Sequence, residues 1–167
     1  MNKTNENLKN AFAGESLANR RYLAYAQKAE QEGLQQIAKL FRAAAEAETV
    51  HALNHLRIIG EIKQTTENLE MAVSGETFEF KTMYPEYLTM AKKEENQQAA
   101  WSIDVANKVE KIHANLFSNA LKTLKTGNQL ASVDYFVCSV CGNTVEREAS
   151  EKCPICGAPK TKFVKIT

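Results

Sequence analysis

The chain has 167 residues, 44% of them hydrophobic, with 21 basic against 20 acidic side chains and a formal net charge of +1. Interspersed signs leave no basic face for nucleic acid and no acidic tail, and the length suffices for one substantial core with a small appendage. The opening Met1-Asn2-Lys3-Thr4-Asn5-Glu6-Asn7 is polar and no apolar run approaches membrane-spanning length, so a soluble cytoplasmic protein without a leader or a membrane contact is expected. Four cysteines in two close pairs agree, since they suit thiolate ligation in a reducing compartment better than disulfides.

Taken in order, the first helix is predicted from about Asn5 to Glu32, stopping near Gly33, and the second from Leu34 to about Ile62. Both are rich in alanine and glutamate and nearly free of Gly and Pro. The segment Lys63 to Asn68 reads as a connection ending in a cap at Thr65-Thr66-Glu67-Asn68, with a third helix from near Asn68 to about Glu95. Within it Ser74-Gly75 lowers helix propensity, and Pro85 should kink the helix or free a carbonyl one turn earlier. A fourth helix spans Gln97 to Lys125 and ends at Gly127-Asn128. A polar linker then leads to a segment of different composition, with Tyr135, Phe136, Val137, Phe163, Val164 and Ile166 around the cysteines. Residues 1–133 are therefore read as a four-helix bundle with its linker, and 134–167 as a small metal-held β domain.

The bundle carries an anomaly. Glu48-Thr49-Val50-His51 and Glu110-Lys111-Ile112-His113 each place a carboxylate and an imidazole three residues apart, on one helix face. At heptad spacing Glu48 and His51 fall between Ile37, Phe41, Ala44 and His55, Ile58, Ile62, while Glu110 and His113 fall between Ile103, Ala106 and Phe117, Ala120, Leu124. Glu15 sits mid-stripe in the first helix, and Glu76 and Glu79 in the third. Five carboxylates thus point inward with no Lys or Arg on these stripes, and metal is their natural counter-charge. If the hairpins turn near Gly33 and Asn96, Glu15, Glu48, Glu79, Glu110 and His113 reach one level, roughly 21 to 27 Å from the turns at helical rise. Ordinary bundle core accounts for Tyr25, Met83, Tyr87, Met90 and Trp101, and His55 reads as a hydrogen-bonded core residue rather than a ligand.

Cys138-Ser-Val-Cys141-Gly142 and Cys153-Pro154-Ile-Cys156-Gly157 form two C-x-x-C pairs, each followed by glycine, the pattern of a tetrahedral four-thiolate site. A domain of about 34 residues cannot build enough core to stand alone, so its metal must contribute much of its folding free energy. Zinc and iron both accept this geometry; a redox dimetal bundle next to it favours iron, as a one-electron donor.

Ala11-Phe12-Ala13-Gly14-Glu15-Ser16, the Glu48 and Glu110 steps, Gly75-Glu76-Thr77-Phe78-Glu79 with Met83-Tyr84-Pro85, and the four-cysteine tail together resemble the rubrerythrins over nearly the whole chain. The resemblance implies a ferritin-like four-helix bundle with a C-terminal rubredoxin-like domain. It implies a di-iron pair, oxo-bridged when oxidised, and a mononuclear iron at Cys138, Cys141, Cys153 and Cys156. It implies a peroxidase that reduces hydrogen peroxide to water with electrons from rubredoxin or an NAD(P)H-dependent reductase. Carried over, Glu48 and Glu110 match bridging carboxylates, Glu15 and Glu76 terminal ones, and His113 the imidazole on one iron. Glu79 and His51 match the pair that exchange on the other iron, and Tyr22 and Tyr84 fall where tyrosines lie near the cluster. It also implies a homodimer in which the cysteine centre of one chain approaches the di-iron site of its partner, with helices exchanged in some relatives. Composition and spacing alone establish only a dimetal bundle with a thiolate appendage. Ferritin-like iron oxidation and storage, a manganese catalase-like site, and a zinc-ribbon adaptor on an inert bundle are the competing functions.

Overall fold

A computed structural model describes residues 2–167. It divides into two compact units, Met1–Lys63 and Gln64–Thr167. The first is a helical hairpin of α1 (Lys3–Gln31) and α2 (Gln35–Ile59). Asn2 caps α1 by accepting from the Asn5 amide at 2.9 Å. The turn is made by Gly33 at φ 78°, where the Leu34 amide reaches back to the Ala29 carbonyl at 2.8 Å; a side chain there would be strained in this left-handed conformation.

The hairpin closes on small residues. Ala38, Ala45 and Ala52, seven apart on α2, are 0%, 1% and 7% exposed, and Ala26 and Ala29 line α1. Alanine at these positions lets the two backbones approach closely, and Asn19 locks them by donating to the Ala45 carbonyl at 2.7 Å and to Thr49 Oγ1 at 2.8 Å. This corrects the predicted core. Ile37, Ile58 and Ile62 are 44%, 69% and 50% exposed: two helices can bury only the seam between them, and Ile62 lies beyond the end of α2 at Ile59. Tyr25, Tyr87, Met90 and Trp101 are likewise about half exposed.

The second unit begins with α3 (Thr65–Phe78), three residues before its predicted start. Gln64 and Glu67 form a reciprocal capping box, so the supposed cap residues are already the first helical turn. α3 runs through Ser74-Gly75 into a π-helical turn, Glu79–Met83, and then α4 (Tyr84–Lys93). Pro85 explains the wide turn: it has no amide hydrogen and its ring would strike the carbonyl four residues earlier, so the chain takes one wider turn there. The Tyr84 amide bonds to the Glu79 carbonyl across that turn. α5 (Gln97–Lys125) coincides with its prediction and is capped by Asn96, which accepts from Ala99 at 3.0 Å. It packs along α3 and α4, with Val105, Val109, Ala114 and Ala120 buried.

The tail folds as an antiparallel three-stranded sheet, β1 (Tyr135–Cys138), β2 (Thr144–Glu146) and β3 (Phe163–Ile166), in the order β2-β1-β3. β2 meets α5, where a Cβ on Gly142 would lie 3.8 Å from Val109 Cγ1. No helix of the described residues is long and apolar enough to cross a membrane.

Candidate metal centres

Three groups of donors converge among the described residues, and they use most of the predicted ligands. In the hairpin, Glu15, Glu48 and His51 bring one donor atom each within 4.8 Å of one another. His51 Nδ1 lies 3.0 Å from Glu48 Oε2 and 3.9 Å from Glu15 Oε1. In the second unit Glu76, Glu110 and His113 repeat the arrangement, with His113 Nδ1 2.8 Å from Glu110 Oε2 and 3.8 Å from Glu76 Oε2. Each triad is a Glu-x-x-His step on one helix answered by a glutamate from its neighbour.

These spacings fit an ion. Donors at right angles about 2.1 Å from a metal lie about 3.0 Å apart, and opposite donors about 4.2 Å apart; three of the four distances fall at or between these values, and the fourth, 2.8 Å from His113 to Glu110, is slightly shorter. The second triad also shows what the ion would neutralise. Glu76 Oε2 is buried and has no hydrogen-bond partner. Burial, then the hydrogen bond and charge of Glu110 and the charge of Glu79, raise the Glu76 carboxyl to about 7. A buried acceptor facing two more acceptors is a cation site by its chemistry.

Glu79 stands outside both triads, at the head of the π turn. Burial and the Glu110 carboxylate raise its pKa while His113 lowers it, so it feels the second triad's field. Tyr84 does too: burial, then Glu110, Glu79 and Glu76, raise its phenol. Tyr22 packs with its ring centroid 6.3 Å from Tyr25 and 6.2 Å from Phe41. His55 belongs to no donor group.

The third group is Cys138, Cys141, Cys153 and Cys156. Cys138 and Cys156 sulfurs lie 3.8 Å apart and those of Cys141 and Cys153 3.6 Å; the edge of a tetrahedron with metal–sulfur bonds of 2.3 Å is about 3.8 Å. The two knuckles are built alike, with Gly142 N donating to Cys138 O at 2.8 Å and Gly157 N to Cys153 O at 2.9 Å. Both glycines sit at positive φ, 80° and 77°. Burial works to raise the Cys153 thiol, but the amides of Cys156 and Ile155 outweigh it and bring the thiol down to about 7; burial drives Cys141 the other way. Four sulfurs at tetrahedral spacing suit a metal that binds all four as thiolates.

The family model for rubrerythrin matches residues 6–121, and that for the rubrerythrin rubredoxin-like domain matches residues 136–164. The chain belongs to the rubrerythrin family. It is 37% identical to rubrerythrin-2 of Clostridium acetobutylicum, over 93% of this chain and 92% of the relative. It is 33% identical to nigerythrin of Nitratidesulfovibrio vulgaris, over 96% and 85%. Among solved structures it resembles nigerythrin in its partially reduced state, with a TM-score of 0.58 at 31% identity, covering 99% of this chain and 88% of that one. Its cofactors are those of the family, a di-iron pair at glutamate and histidine and a single iron at four cysteines.

Two contacts lay beyond sequence reasoning. His113 Nε2 is 2.9 Å from Thr144 Oγ1, at the start of β2, and the buried Asn143 donates from Nδ2 to Cys153 Sγ at 3.6 Å. The first sets this chain's own cysteine knuckle against its own Glu76, Glu110 and His113, whereas the family resemblance implies an approach to the partner's site. Neither contact follows from periodicity or ligand spacing, because each joins residues whose separation in sequence carries no pattern.

Proposed function

We propose that the protein is a cytoplasmic peroxidase that reduces hydrogen peroxide to water at the di-iron centre. The observation that carries this reading is the electron inlet: a four-thiolate tetrahedron whose Cys141 knuckle is hydrogen-bonded, through Thr144, to His113. A storage protein has no use for such a link. The di-iron pair, when bound, would supply the two electrons that cleave the O–O bond, and Cys138, Cys141, Cys153 and Cys156 would hold the iron that accepts replacement electrons from rubredoxin or an NAD(P)H-dependent reductase.

In this reading Glu15, Glu48 and His51 and Glu76, Glu110 and His113 together would supply the ligands of the di-iron pair. Each triad offers two carboxylates and one imidazole, and neither alone can hold two ions. Glu48 and Glu110 would be shared between the two ions, Glu15 and Glu76 would each serve one, and His113 would hold one ion. Glu79 and His51 exchange on the other, for which the π turn gives Glu79 a backbone segment of its own. Tyr22 and Tyr84 lie beside the cluster; the Tyr84 phenol, pushed up by burial and then by three nearby carboxylates, stays protonated and donates. The protein acts as a homodimer. The triads lie on separate compact units, so the hairpin of one chain can serve the second unit of another, and exchanged helices are part of the proposal.

The test is anaerobic reduction of the holoprotein, followed by mixing with peroxide or with oxygen while the thiolate-iron absorption is watched. Fast recovery with peroxide and slow recovery with oxygen are expected. The reverse order would make the protein an oxidase that handles iron, as a ferritin does.

A further inference from the structure

Asn143 is the one polar residue in the buried core among the described residues, 1% exposed. It follows the glycine of the first knuckle and reaches three of the four cysteines. Its carbonyl accepts from the Cys138 amide at 2.9 Å. Its own amide donates to Cys141, opposing the upward push of burial on that thiol. Its side chain crosses to the second knuckle, with Nδ2 3.6 Å from Cys153 Sγ. The other end of the same amide is stranded: Oδ1 is buried and has no hydrogen-bond partner. An apolar side chain of the same branched shape would strand nothing, so packing alone does not account for an amide here. The half that is satisfied faces a sulfur, and a thiolate can only accept.

We propose that Asn143 is a positioning residue of the four-cysteine centre, a side-chain donor that joins the two knuckles and favours the ferrous over the ferric state. The two sulfurs it addresses, those of Cys141 and Cys153, lie 3.6 Å apart, so one residue acts along one edge of the tetrahedron. With four thiolates the ferrous centre carries one more negative charge than the ferric centre, and an N–H aimed at sulfur stabilises the more negative state more. Cys153 is 2% exposed, so water cannot take over the bond if the amide is removed. The inference rests on iron at the four cysteines and not on peroxide being the substrate.

The test holds the full iron-loaded chain at a fixed applied potential, near the midpoint of the wild type, and reads the ferrous-to-ferric ratio from the thiolate-iron absorption. Asn143→Leu keeps the branched shape and Asn143→Val is smaller, so the two pack differently while both lose the N–H. Each should lower the ratio, by roughly 3–10-fold. A ratio unchanged or raised in either variant would overturn the proposal, because a side chain needed only for packing has no reason to move the ratio the same way in both. The wild-type chain loaded with NMR-active cadmium decides even if the variants fail to fold. A side-chain amide proton of Asn143 should then show coupling to the metal through Cys153 Sγ, and its absence would equally overturn the proposal. No step uses peroxide, so failure of the peroxidase reading would leave this result standing, and the converse.

Discussion

Glu76→Gln should make the metal-free protein more stable at pH 8, and the gain should vanish at pH 5. Glu76 titrates near 7 in the folded chain instead of at its ordinary 4.5, chiefly through burial and then through Glu110. For an acid raised in this way, the folded chain holds one more proton than the unfolded chain between pH 4.5 and about 7. Stability therefore falls as pH rises through that window and levels off above it. The full shift corresponds to at most about 3 kcal/mol. The side chain is 22% exposed, and solvent screening reduces the expected difference to roughly 1–2 kcal/mol. Urea unfolding of the chelator-treated chain, followed by helical circular dichroism at pH 5, 6, 7 and 8, measures it. The wild type should lose stability relative to Glu76→Gln across the series, and zinc at pH 8 should stabilise the wild type far more than the variant. Parallel curves for the two proteins would refute the argument that Glu76 is a buried acid awaiting a cation.

Glu79→Gln should slow oxidation of the reduced protein by peroxide much more than it weakens iron binding, since Glu79 lies outside the triads; stopped-flow mixing and iron titration separate the two effects. Mixed dimers of Glu48→Ala with Glu110→Ala chains report helix exchange: with exchanged hairpins one site per mixed dimer is intact and peroxide turnover returns, whereas without exchange every site keeps one defect and none returns. Cys153→Ser should abolish the thiolate-iron absorption and the amide protection of residues 135–166 while sparing the helical signal, leaving a protein that reacts with peroxide once and does not turn over. Asn143→Leu removes a donor from Cys153 Sγ and should lower the potential of the thiolate iron by roughly 30–60 mV in a spectroelectrochemical titration.

Sequence reading reached the helices and the converging donor groups by different routes, and its misses have separate causes. α5 was placed to the residue because Asn96 and Gly127 punctuate an uninterrupted stripe. α3 began earlier than read, since Thr65 and Thr66 look like caps until Gln64 and Glu67 are seen to close the box. Pro85 marked a disturbance but not its kind; whether a helix kinks or widens depends on where its neighbours hold it, and here it widens at a candidate ligand. The triads were legible because burying carboxylates without cations is costly, which makes their position in an apolar stripe informative. The isoleucines of that stripe were misjudged by the same logic, because heptad spacing shows that a face seeks burial without showing what covers it. Thr144 was invisible, since its significance comes only from the fold that carries β2 to α5.

Anomalous diffraction at the iron edge from crystals of the iron-loaded protein tests the central claim most directly. The account predicts two ions about 3.5–4 Å apart, one beside Glu15, Glu48 and His51 and the other beside Glu76, Glu110 and His113, with a third iron among the four cysteines. Ions confined to separate triads at distances well beyond this, or triads that take up no iron while the cysteines do, would contradict it.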